Sequence, residues 1–325
     1  MTELSNTPAV RRSIWPFIHF VPRQTHFNFV GLAPFAAVLS AILVIASVVS
    51  IGVQQVNWGV DFVGGTKMEI ATNGPAPLST IRSALVSVGV VGAEVQGVPG
   101  RGAAIQFRSV NGQSADAAPA FVTGKLTAAV PGLRVTGVSE VGAKVSGELI
   151  WGGLGALGLA LGLMLLYIWF RFQLQFGLGA ILAVAHDIVL TIGFLSVTRI
   201  EVSTTSIAAL LTVIGYSMNE KVISFDRLRE NLRKYRTTPL REVINLSENE
   251  RLSRTIITGT TALLALSGSI VNPASALFSL TATMAFGILV GTYSSIYVAL
   301  PVILLWGVRR DEGDATPIDL RTARR

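Results

Sequence analysis

The chain has 325 residues, half of them hydrophobic and only 14% charged, with a mean hydropathy of +0.58. Soluble globular domains carry about a quarter charged residues, so this composition indicates an integral membrane protein. The net charge of +7 lies in clusters just outside apolar runs, a pattern of membrane topology rather than of nucleic-acid binding. The absence of cysteine excludes disulfides and thiol chemistry, and three histidines (His19, His26, His186) do not make a histidine-rich metal site.

In chain order, a basic segment (1–30) with Arg11, Arg12 and Arg23 precedes the first uninterrupted apolar run, 31–53. About 20 apolar residues cross a bilayer, and signal-peptide cores are shorter. The run therefore reads as a retained span, with cleavage near Ala46 as the minor alternative. Five further spans are expected at 149–170, 177–198, 202–225, 255–271 and 276–306. The connection 226–254 holds eight Lys or Arg against five Asp or Glu, whereas the 199–201 and 272–275 loops contain only Arg199 and Glu201. Basic residues retained inside put both termini, the 226–254 loop and the 309–325 tail on the cytoplasmic side. Arg171, between the second and third spans, agrees.

Residues 54–148 then lie outside as a domain with seven basic and six acidic residues. VDFVGGTKMEI (60–70) reads as a strand interrupted by Gly64-Gly65, and LSTIRSALVSV (78–88) as a helix with Ser79 as N-cap. AEVQGV (93–98) and AAIQFRSV (103–110) flank the turn sequence PGRG. SADAAPAFVTGKLTAAV (114–130) reads as a helix despite Pro119, and LRVTGVSEV (133–141) as a last strand. The order β-α-β-β-α-β is that of a ferredoxin-like α+β unit. The expected fold is thus a six-span membrane helix bundle with an extracytoplasmic α+β domain inserted between the first two spans.

Ionisable residues within spans usually face protein or water. His186 and Asp187 lie near the middle of the third span. As neighbours they diverge by about 100° around a helix and are not expected to pair with each other; a structural role in helix packing and a functional one both fit. In IGYSMNEKVISFDRLREN (214–231), Gly215, Tyr216, Asn219, Glu220 and Ile223 are expected on one face. Glu220 falls about 9 Å inside the cytoplasmic end. Lys221 is expected to point elsewhere and snorkel to the interface, so that Lys221→Thr would be tolerated. Arg254 reads as the cation facing Glu220, or as a positive-inside anchor. There is no HExxH spacing for zinc and no GxxxxGK[ST] phosphate loop.

GVDFVGGT (59–66) resembles the motif that follows the first span in the SecD/SecF family. AHDIVLTIGF (185–194), IGYSMNEKVISFDRLREN, LSRTIIT (252–258) and VGTYSSIYVALPV (290–302) are similar, in order and spacing, to the smaller subunit of that family. The similarity runs from about Phe17 to Val308. The resemblance implies a non-enzymatic, cofactor-free transport component of the cell inner membrane, related to half of a resistance-nodulation-division transporter. It would pair with SecD, with SecYEG and YajC as further partners. Together they would draw exported unfolded polypeptides across the membrane with the proton gradient. It also implies that Glu220, Arg254 and Asn219 are the proton-coupling residues, with His186 and Asp187 auxiliary, and that Asp61, Phe62, Gly64, Gly65 and Thr66 form the family motif. The family's usual Asp is Glu220 here, and Lys221 stands where a small or hydroxyl residue is usual. A self-contained small-molecule exporter would need a larger exterior domain and a second membrane half, an intramembrane hydrolase lacks a nucleophile–base arrangement, and a non-transporting scaffold is the remaining alternative.

Overall fold

A computed structural model describes residues 25–91, 93–98, 102–114, 117–172, 174–271 and 277–307. The basic N-terminal arm up to residue 24, residues 99–101 of the expected hairpin turn, the 272–275 loop and the 309–325 tail lie outside them.

Helix α1 (Phe29–Gln54) opens where the Asn28 side chain accepts the Gly31 amide at 2.9 Å. A single helical turn, α2 (Val60–Val63), follows, and then strand β1 (Gly65–Ala71). The chain continues through α3 (Leu78–Ser87), β2 (Val90–Val91), β3 (Glu94–Val98), β4 (Gly102–Phe107), β5 (Ser109–Val110), α4 (Ala118–Ala129) and β6 (Arg134–Val141). Long helices complete it: α5 (Ala143–Arg171), α6 (Leu174–Thr198), α7 (Thr204–Lys234), α8 (Leu240–Ile270) and α9 (Phe278–Ser294). A π-helical turn at Ser295–Ala299 and α10 (Leu300–Trp306) continue α9.

The four-stranded sheet has the order β3-β4-β1-β6, with every neighbour antiparallel. Alternation along β1 sends Met68 and Ile70 to one face, where Ile105 and Phe107 of β4 join them. Ile81 and Leu85 of α3 and Val122 and Leu126 of α4 cover that face and close a core of their own. Burying each such side chain contributes about 1.5–3 kcal/mol, and this lets the domain fold without disulfides.

Two local expectations change here. Residues 60–63 are not strand: the segment coils once and leaves through Gly64 (φ 72°) and Gly65 (φ 127°), backbone angles that L-residues rarely adopt. Helix α3 takes Pro77, not Ser79, as its N-cap position and has no side-chain cap. Pro119 sits in the first turn of α4, where its missing N–H leaves no intrahelical bond unmade.

Among the described residues, four helical stretches, Phe29–Gln54, Val145–Ile168, Leu174–Thr198 and Phe278–Trp306, are long and apolar enough to cross a membrane. Helices α7 and α8 have 31 residues each and carry more charge. The expected cytoplasmic loop 226–254 is therefore largely helical, and the chain turns only at 235–239. Polar groups pair across this hairpin: Arg227 meets Glu250 at 2.8 Å, and Asn231 donates to Glu250 at 2.6 Å and to Ser247 at 3.0 Å, while Arg227 also meets Glu230 of its own helix at 2.6 Å.

Close packing sets the bundle. A Cβ on Gly193 of α6 would stand 2.9 Å from Ser47 Cα on α1, and one on Gly287 of α9 would stand 2.9 Å from Val213 Cβ on α7. Small residues thus bring α1 against α6 and α9 against α7. Phe225 meets Phe172 and Phe176 edge-to-face near one end, with Phe176 and Phe225 centroids 5.2 Å apart. Residues 147–167 of α5 include no buried residue and border the bundle, whereas Ser146 and Ile168 at its two ends are buried.

Candidate functional site

Helix α7 buries one polar stripe: Ser217, Glu220, Lys221 and Ser224. Residues three, four and seven apart share a helix face, and this face meets α6, α8 and α9. A buried charge is tolerated only when paired and hydrogen-bonded, and each of these charges is.

Lys221 is wholly inaccessible. Its Nζ reaches Asp187 Oδ2 of α6 at 2.9 Å and Ser294 Oγ of α9 at 3.0 Å, with the Ser217 hydroxyl and carbonyl filling the remaining positions. Asp187 Oδ2 also accepts Ser294 Oγ at 2.7 Å and the Ser217 hydroxyl. Its second oxygen lies 3.0 Å from His186 Nδ1. His186 stacks on Tyr293, and its Nε2 is the buried side-chain polar atom left without a partner among the described residues.

Glu220, the next residue back on α7, turns to α8 instead. Its Oε2 accepts Thr255 Oγ1 at 3.0 Å and Arg251 Nη1 at 3.3 Å. Arg251 also binds Glu248 Oε2 through Nε at 2.7 Å and Nη2 at 2.6 Å, Thr255 Oγ1 at 2.9 Å and Ser295 Oγ at 2.9 Å. Ser224 Oγ donates to Glu248 Oε1 at 2.7 Å. Consecutive serines of α9 and the π turn thus serve consecutive ion pairs of α7, Ser294 the first and Ser295 the second. The π turn begins at this point, and such turns concentrate at functional positions.

Four expectations are corrected by this geometry. The cation facing Glu220 is Arg251; Arg254, three residues on and rotated away from Arg251, is exposed. Asn219 is exposed too, on the face of α7 opposite the buried stripe, and does not join Glu220. Lys221 does not snorkel, because Asp187 and two serines hold it inside the bundle. His186 and Asp187 do meet, because the carboxylate leans along the helix and uses its two oxygens on two different partners. Sequence reasoning missed Glu248, Arg251 and Thr255, whose i, i+3, i+7 spacing marks one helix face, and Ser294 and Ser295.

The family-motif residues occupy the junction between the α+β domain and the bundle. Asp61 Oδ2 accepts both the amide and the hydroxyl of Thr204, each at 2.8 Å, at the N-terminus of α7. A carboxylate there complements the helix dipole. Phe62 is buried with Leu195 and Val202. The Gly59 amide donates to Val202 O at 2.8 Å and the Val202 amide to Asn57 O at 2.8 Å. Thr66 is buried in β1, and Lys67 pairs with Glu201 at 2.8 Å. A Cβ on Gly65 would lie 2.5 Å from Phe107 O. The α+β domain is therefore tied to the start of the same helix whose interior carries Glu220 and Lys221.

Comparison with known proteins agrees with this arrangement. Residues 122–309 match the family of protein export membrane protein SecD/SecF, C-terminal, and residues 49–76 match the SecD/SecF GG motif. A protein translocase subunit SecF from Rhodobacter capsulatus is 40% identical over 93% of this chain and 95% of its own length. A namesake from Rickettsia rickettsii is 36% identical over 91% and 97%. The crystal structure of SecDF, a translocon-associated membrane protein from Thermus thermophilus, superposes with a TM-score of 0.80 at 31% identity. That match covers 88% of this chain and 39% of the longer one. With two family models in their expected places and relatives matched along nearly their whole length, the chain belongs to the SecD/SecF family of protein-export membrane proteins, as a protein translocase subunit.

Proposed function

We propose that the chain works with SecD as a proton-driven part of the export machinery, alongside SecYEG and YajC, drawing unfolded polypeptides to the outer side of the cell inner membrane. In this reading α1, α5, α6, α7, α8 and α9 with α10 are six spans, and the basic 226–254 hairpin and both termini lie in the cytoplasm. The exterior unit is ferredoxin-like, a reading supported by its antiparallel order β6-β1-β4-β3 with α3 and α4 on one face. SecD as partner is supported by the likeness to a SecDF chain of which this sequence spans about two fifths.

The observation that carries the proposal is the buried ion pair between Glu220 and Arg251 on a helix whose outer end is bonded to the exterior domain through Asp61. Ionised Glu220 ties α7 to α8; protonated, it weakens that tie and lets the helices shift, and α7 transmits the shift to the Asp61 junction. Asn219 and Arg254, exposed on α7 and α8, form the polar face that the SecD bundle covers, because a guanidinium facing lipid is costly. His186 and Asp187 keep an auxiliary role as the anchor of Lys221. The test is proton flux and export in vesicles carrying the complex. Glu220→Gln is expected to abolish proton-gradient stimulation with SecD still bound; wild-type export by that variant would refute the reading.

A further inference from the structure

Arg251 serves two carboxylates, and it does not serve them equally. Glu248 takes both Nε and Nη2 of the guanidinium, at 2.7 and 2.6 Å, and its other oxygen is held by Ser224 at 2.7 Å. Glu220 receives Nη1 at 3.3 Å, and Thr255 relays between the two, accepting from Nη1 at 2.9 Å and donating to Glu220 at 3.0 Å. Nε and Nη2 converge on the single oxygen Oε2 of Glu248, a charge-assisted contact, so this fork of the guanidinium is committed to Glu248.

The charges do not balance. Among the described residues the buried ionisable groups are Asp187, Glu220, Glu248, Lys221, Arg251 and His186. Lys221 compensates Asp187 at 2.9 Å. Arg251 compensates one of its two partners, so the five side chains Asp187, Glu220, Glu248, Lys221 and Arg251, when ionised, carry one negative charge in excess. In a low-dielectric site that excess is costly, and one added proton removes it. Among the described residues the surrounding elements contribute no further buried charge. Tyr216 of α7, Tyr293 of α9 and Tyr297 of the π turn contribute phenol groups, α1 and α10 have no ionisable residue, and Arg254 of α8 is exposed.

We infer that Glu248 is a positioning residue for proton uptake. By occupying the fork of Arg251 it leaves Glu220 under-compensated and makes Glu220 the seat of a single exchangeable proton. This deepens the proposed function and rests on its reading of Glu220 as the proton-binding acid. When water delivers the proton, an O–H bond forms on Glu220 and its ion pair with Arg251 becomes a neutral–charged contact. Arg251 stays on its own helix, held by Glu248, while Ser224 keeps the second link between α7 and α8. The change is confined to one of two ties, so the helices pivot about the other.

The experiment is infrared spectroscopy of the purified complex with SecD across a pH series, with proton flux measured on the same preparations. Wild type is expected to show a protonated-carboxyl band that Glu220→Gln removes. In Glu248→Gln the fork of Arg251 turns to Glu220 and the charges balance without a proton. The Glu220-dependent band is then expected to be lost or strongly reduced, and proton flux is expected to fall with it. Glu248→Asp, which retracts the carboxylate by one methylene and preserves charge, is expected to lie between and decides the matter if the glutamine variant fails to assemble. An unchanged band and flux profile in both variants overturns the inference alone, provided Glu220→Gln still abolishes flux. Absence of any Glu220-dependent band in wild type overturns the inference and the reading of Glu220 together.

Discussion

Glu220 and Lys221 are consecutive on α7, and their charges go to different helices: the carboxylate to Arg251 of α8, the ammonium to Asp187 of α6. The amide, acid and ammonium in a row at 219–221 are thus not a helix end reaching solvent. They are one exposed polar residue followed by two buried charges, each paired on a different helix. Helix α7 is pinned on both sides by ion pairs whose partners belong to different elements, so changing one pair leaves the other as a fulcrum.

Lys221 is therefore intolerant of truncation. Lys221→Thr or Lys221→Met leaves Asp187 buried without its cation, and breaking one side of a buried pair costs about 3–5 kcal/mol. The expected outcome is a large fall in thermal stability of the purified complex. Adding Asp187→Asn to Lys221→Met is expected to restore much of it, since removing both charges leaves none uncompensated. Equal stability of Lys221→Met and wild type would contradict the geometry.

Asp61 acts at the other end of α7. Its carboxylate satisfies the Thr204 amide and hydroxyl at 2.8 Å each, and loss of such a cap typically costs about 1 kcal/mol. Asp61→Ala is expected to reduce stability by about that amount and reduce export by more, because the lost bonds tie the domain to the helix. Asp61→Asn, which keeps an acceptor oxygen, is expected to recover most of the stability. Thermal melts paired with an export assay separate the two effects.

Gly65 tests the glycine pair of the family motif. Its φ of 127° and the approach of Phe107 O leave no room for a Cβ. Gly65→Ala is expected to strain the β1–β4 pairing by about 1–3 kcal/mol and to accelerate proteolysis of the α+β domain. Gly124→Ala, on an open face of α4 with nothing within 4 Å of a new Cβ, is the control and is expected to be neutral or slightly stabilising.

Much of the architecture was legible in the sequence, and the reasons differ by element. The apolar runs of α1, α5, α6 and α9 announce themselves because nothing but a membrane or a bundle core accommodates them. The strands of the α+β domain show their alternation, since one face of the sheet is buried and the other is not. The 226–254 segment misled because charge density alone does not separate a loop from a polar helical hairpin; its i, i+3 pairs, such as Arg227 with Glu230, were the available signal. The site was half legible. Glu220 and Asp187 stand out as acids in apolar surroundings, but whether α8 offers Arg251 or Arg254 depends on how that helix is rotated against α7. Packing sets that rotation, through contacts such as Ser224 with Glu248, and no local pattern encodes it.

That rotation yields the sharpest mutational contrast, between two arginines three residues apart. Arg251 is buried and holds Glu220, Glu248 and Ser295; Arg254 is exposed. Arg251→Ala leaves two buried carboxylates uncompensated, so a loss of roughly 3–5 kcal/mol or failure to assemble is expected. Arg254→Ala removes a surface cation, and its effect on stability should lie within about 0.5 kcal/mol. If Arg254 faces SecD, its loss should instead lower the amount of SecD that co-purifies and the proton-driven export that depends on the pair. Comparable destabilisation by both substitutions would mean that α8 is turned so that both guanidinium groups are buried, and the pairing of Glu220 with Arg251 would have to be redrawn.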